Sequence, residues 1–108
     1  SIRDITMYDM GHLDKLKQLM TAAPAAMRTF QQFDATALAG GGAVPKKYKE
    51  LIALGVALTT QCPYCLELHR RAAEAAGATR EEMAETILVV AALRAGAAVT
   101  HGTHLLAA

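Results

Sequence analysis

The chain has 108 residues, 53% of them apolar and 19% charged, with a formal net charge of +1. That is the size of one ordinary domain with enough apolar material for a core, and it excludes a disordered chain. The near-neutral balance leaves no broad electrostatic footprint for nucleic acid or an anionic membrane. Lys46, Lys47 and Lys49 form one dense basic group, which reads as a solvated first helical turn.

Apolar and polar residues nowhere alternate over a sustained run, and alanine is abundant, so the expected fold class is all-α. Asp9 is placed to cap a first helix carrying Leu13, Leu16, Leu19 and Met20. Pro24 opens a second helix, with Met27, Phe30, Phe33, Ala37 and Leu38 on its apolar side. Gly40, Gly41 and Gly42 break the chain, and Pro45 suits the first turn of a third helix that runs to about Thr60. Residues 51–58 are apolar on nearly every face, which predicts a helix buried all round. Pro63 starts a fourth helix that runs through Ala76 and is closed by Gly77. Thr79 and Glu82 have capping-box spacing for a fifth helix reaching toward Leu106, with Gly96 and Gly102 as candidate interruptions. The small residues Ala91, Ala92, Ala95, Gly96, Ala97 and Ala98 would let another helix approach closely. No internal repeat or domain boundary stands out, so residues 1–108 read as a single domain with its core from about 20 to 107.

Residues 1–14 contain no apolar stretch like that of a signal peptide. The apolar run at 51–58 and the C-terminal stretch split by Arg94 both fall short of the ~20 residues needed to span a bilayer. The expectation is therefore a cytoplasmic protein without a membrane partner. In a reducing compartment paired cysteines are redox-active or metal-binding rather than structural.

The chemistry concentrates between residues 50 and 69. Cys62 stands at the start of the fourth helix, Cys65 three residues on and His69 four beyond, so two sulfurs and an imidazole share one stripe. Free N–H groups and partial positive charge at a helix start favour thiolate over thiol. His69 can accept the Cys65 proton. If the third and fourth helices fold back on one another at Gln61, Glu50 comes level with His69 as an orienting carboxylate. Helix position by itself favours Cys62 as the attacking sulfur, whereas His69 lies one turn from Cys65. His101 and His104, three apart, read as packing or interface residues, with a metal role as the sharper alternative. Met20, Met27 and Met83 read as core filling. A metal module built from Cys62, Cys65, His69 and one of His101 or His104 closes a tetrahedron poorly from one helix stripe. A helical scaffold without turnover is the third reading.

A Glu, eleven residues, Cys-x-x-Cys, three residues and a His are met by Glu50, Cys62, Cys65 and His69 at every spacing. In this the sequence resembles the AhpD-like alkylhydroperoxidase and carboxymuconolactone decarboxylase superfamily. The likeness takes in LIALGVALT before the cysteines, HRRAAEAAGATREEMAET after them and AALRAGAAVTHGTHLL beyond, and is weakest before about Met20. It implies an all-α, homo-oligomeric protein, a trimer or hexamer, that reduces hydroperoxides without a cofactor at the expense of a thiol or dithiol reductant. Cys65 then corresponds to the residue that attacks the peroxide, Cys62 to the one that condenses with the sulfenic acid, and His69 and Glu50 to the proton relay. One departure stands out: Tyr64 occupies the place of a His just before the second Cys in the AhpD-type peroxidase. Lactone-decarboxylating relatives lack the cysteine pair, which disfavours that activity.

Overall fold

A computed structural model describes residues 8–107 of the chain. The regular structure of the described residues is all helical, with no strand among them, as the sequence predicts. They fall into two compact units that divide after Lys46.

In the first unit Asp9 accepts the Gly11 N–H at 2.8 Å and caps a 3₁₀ turn, Met10–Lys15, which passes into α1, Leu16–Ala22. The expected first helix therefore begins tighter than an α-helix. Pro24 occupies the first turn of α2, Pro24–Leu38, where its missing N–H costs nothing. Leu16, Leu19, Met27 and Phe30 face a shared apolar hollow between α1 and α2, and Met27 is buried. The glycine run follows, with Gly41 at φ +87, and Lys46 Nζ donates to the Leu38 carbonyl at 2.7 Å, satisfying the end of α2.

The second unit holds α3, Lys46–Thr60, from its second residue on, α4, Pro63–Ala75, and α5, Arg80–Gly102. Pro45 lies just outside α3 rather than in its first turn. α3 and α5 run parallel. Lys47 pairs with Glu82 at 2.9 Å, a methyl on Gly55 would stand 3.4 Å from Val90 Cγ2, and Arg94 Nη1 donates to the Thr59 carbonyl at 3.1 Å. All three pairs are separated by the same 35 positions, which only parallel helices allow. α4 runs back antiparallel to α3, with His69 facing Glu50.

α3 differs from expectation in its burial. Glu50, Leu54 and Ala57, spaced at i, i+4 and i+7, are buried, but Ile52 and Val56 are 60% and 55% exposed. Two neighbouring helices cover one side of α3, and full burial would need a further partner.

α4 ends on a left-handed Gly77 at φ +91, and the Ala78 N–H reaches the Ala73 carbonyl at 2.9 Å, a Schellman closure. α5 opens with the expected capping box: Thr79 Oγ1 accepts the Glu82 N–H at 3.0 Å, and Glu82 Oε1 accepts the Thr79 N–H at 2.8 Å. Gly96 does not interrupt α5, and Gly102 marks only the change into a 3₁₀ turn, Thr103–Leu106.

The continuity of α5 corrects the expectation about membrane length. Arg80–Leu106 forms one stretch of 27 residues, long and apolar enough to cross a bilayer by length and composition alone. Arg94 does not split it, because the guanidinium reaches sideways to α3 while the helix continues.

Thr79→Ala removes one half of the capping box and should lower stability by about 1 kcal/mol, with Thr79→Ser close to wild type. Urea unfolding followed by circular dichroism checks both.

Candidate active site

α3 ends in a second Schellman-type closure, and this one sets the position of the first cysteine. Gln61 takes the left-handed conformation at φ 56, and the Cys62 N–H bonds to the Ala57 carbonyl at 3.1 Å. A non-glycine residue there carries a conformational cost of about 1 kcal/mol or more. The turn delivers Cys62 directly to the N-cap of α4.

Cys62 is extended, at φ −100 and ψ 101, and its Sγ accepts the Cys65 N–H at 3.3 Å. The two thiol sulfurs are hydrogen-bonded to each other at 2.8 Å, and both residues are half-buried. When the pair loses one proton, the negative charge is best held by Cys62, which already receives a backbone N–H. The Cys62 thiol is accordingly lowered from its ordinary 9.0, first by the Cys65 thiol, then by the Cys65 N–H and, to a lesser degree, that of Tyr64; burial opposes the shift. By linkage, this thiolate favours the folded state fully above about pH 9.0, and the contribution is lost as pH falls through the lowered value.

The second pair links α3 to α4. His69 Nδ1 lies 2.6 Å from Glu50 Oε2, between a carboxylate side chain that is 2% exposed and a ring that is 23% exposed. With the carboxylate accepting, Nδ1–H donates and Nε2 is left as the basic nitrogen. A buried carboxylate is tolerated only with such partners, and no buried side-chain polar atom among the described residues lacks one.

The four residues singled out by spacing thus form two contacting pairs on one segment: Cys62 with Cys65, and Glu50 with His69. His69 follows Cys65 by one helical turn, which puts the imidazole and the inner sulfur on the same side of α4. His101 and His104 lie apart from these pairs in sequence, at the end of α5 and in the 3₁₀ turn that follows it. Their rings are 6.0 Å apart and tilted by 31°. Among the described residues no group of three or more His, Cys, Asp or Glu side chains gathers as a metal would need. What the sequence did not reveal is the Cys62 Sγ as helix cap; cysteine is not a usual capping residue, and only its place directly before Pro63 hinted at it.

A family model described as the carboxymuconolactone decarboxylase family matches residues 24–108. The chain is 50% identical over 66 residues to a Paracoccus denitrificans protein described as uncharacterized protein 4 in cox locus, a match covering 61% of this chain and 60% of that one. It is 34% identical over 86 residues to an uncharacterized protein of Cupriavidus necator, covering 80% of this chain and 75% of the relative. The chain therefore spans about three fifths of the length of the Paracoccus relative.

Ultraviolet thiolate absorbance titrated against pH should show a first midpoint below 9.0. In Cys65→Ala the midpoint should rise toward that value, because the largest of the lowering contacts is gone.

Proposed function

The chain belongs to the carboxymuconolactone decarboxylase family, and from that membership we propose that it is a thiol-dependent oxidoreductase that reduces hydroperoxides through Cys62 and Cys65. The observation that carries this reading is the pair of thiol sulfurs 2.8 Å apart at the start of α4. Two thiols so placed need little movement to close a disulfide.

The roles follow the resemblance. His69 Nε2 takes the Cys65 proton while Glu50 steadies the imidazolium from Nδ1. The Cys65 thiolate attacks one peroxide oxygen: an S–O bond forms, the O–O bond breaks, and the alkoxide leaves with the proton held by His69. The Cys62 thiolate then attacks the sulfenic sulfur, closing the disulfide and expelling hydroxide, which a solvent proton converts to water. A thiol or dithiol reductant returns the pair to its reduced state by exchange. Such a cycle suits a reducing, cytoplasmic setting.

The same reading includes assembly of the chain with copies of itself. Ile52 and Val56 of α3 and Val89 and Leu93 of α5 are all exposed and border one apolar groove within the second unit. Covering that stripe with another subunit buries it without a bilayer, and it accounts for the small residues of α5.

A hydroperoxide pulse followed by mass spectrometry should convert the wild-type dithiol to an intramolecular disulfide. Cys62→Ser should stop at a sulfenic acid on Cys65, and Cys65→Ser should consume no peroxide. If the wild-type thiols survive the pulse unchanged, the reading fails and a non-catalytic scaffold takes its place. Glu50→Gln, which changes a positioning residue, should slow turnover by roughly 10- to 100-fold and move the pH–rate profile. Leu93→Glu should shift the mass measured by light scattering toward that of a single chain.

A further inference from the structure

The two sulfurs differ in what surrounds them. Cys62 stands outside the helical backbone, between the left-handed Gln61 and the first turn of α4, and its Sγ accepts the Cys65 N–H. Cys65 lies inside α4, with His69 one turn on and Glu50 behind that ring. One sulfur therefore has a fixed backbone donor that favours its anion, and the other lies one helical turn from a base that can take or return its proton. Division of a dithiol into an exchange sulfur and an internal sulfur needs these two environments.

We propose that Cys62 is the sulfur that exchanges with a thiol or disulfide partner, carrying the mixed disulfide, and that Cys65 opens and closes the pair from inside. The proposal rests on the thiol-oxidoreductase reading above and adds to it the sulfur through which electrons enter and leave. In the oxidising direction, the Cys62 thiolate attacks one sulfur of a partner disulfide. A Cys62–partner bond forms, the partner's S–S bond breaks, and the leaving thiolate takes a proton from solvent. Cys65 then yields its proton to His69 and attacks Cys62 Sγ. The internal disulfide forms, and the second partner thiolate departs with the proton from His69. The protein dithiol has lost two electrons and two protons, and one partner disulfide has become two thiols. Run backwards, the same steps let a dithiol reductant attack Cys62 and expel Cys65, with His69 protonating the departing sulfur.

The probe is a chromogenic aromatic disulfide, dithiobis-nitrobenzoate, mixed rapidly with Cys65→Ser and Cys62→Ser. Cys65→Ser should release the coloured thiolate and hold a lasting mixed disulfide on Cys62. Cys62→Ser should react at least ~10-fold more slowly at neutral pH. Equal or faster reaction of Cys62→Ser overturns the proposal. Should either variant fail to fold, substoichiometric alkylation of the wild-type protein and peptide mapping decide: label on Cys62 supports the assignment, and label on Cys65 overturns it. The peroxide pulse gives its answer separately. Exchange at Cys62 without peroxide-driven disulfide retains this assignment and removes the peroxidase. A peroxide-driven disulfide with faster exchange at Cys65 does the reverse.

Discussion

The largest fully buried side chain among the described residues is a carboxylate, Glu50, 1% exposed on the inward face of α3. Taking such a group out of water costs several kcal/mol unless partners replace the lost hydration. His69 supplies one at 2.6 Å from the facing helix. The contact does three things together. It ties α3 to α4 at a set height, it fixes which ring nitrogen carries the proton, and it makes the packing of the unit depend on an imidazole. An apolar pair of similar volume could hold two helices together equally well. The choice of an acid and a histidine at this position therefore points to chemistry.

The helix caps carry the same contrast. Where only stability is at stake the chain uses oxygen: Asp9 caps the 3₁₀ turn and Thr79 caps α5 with a reciprocal Glu82. At the start of α4 it uses the sulfur of Cys62, a weaker acceptor. After the Cys65 thiol, the capped N–H is the next contact that lowers the Cys62 thiol. The preceding turn shows a parallel sacrifice. Gly77 ends α4 without strain, whereas α3 ends on Gln61 in the same left-handed region. Both departures from the best local choice fall within two residues of one another, at the mouth of the sulfur pair.

Much of this was legible from residue spacing. Pro24, Gly77 and the Thr79–Glu82 pair marked helix ends because each acts within one turn, and local chemistry decides there. The meeting of Glu50 with His69 followed from counting turns on either side of Gln61, since a tight connection forces antiparallel neighbours. Burial was less legible. The run at 51–58 is apolar on all sides, but composition does not say how many neighbours a helix has, and Ile52 and Val56 remain open in the second unit. Arg94 misled for a related reason. A charge in an apolar run looks like an end, but a long side chain can leave the helix axis and find a carbonyl on its neighbour.

The shared separation of 35 between facing positions on α3 and α5 sets a rule for tolerated change in this chain. A single residue gained or lost between Gln61 and Thr79 would turn one helix by about 100° against the other, and Lys47, Gly55 and Thr59 would all miss their counterparts together. The glycine stretch ahead of α3 is under no such constraint from that pairing. Length drift among relatives should accordingly collect before residue 46, while the segment that bears the two sulfurs keeps its count as strictly as its composition.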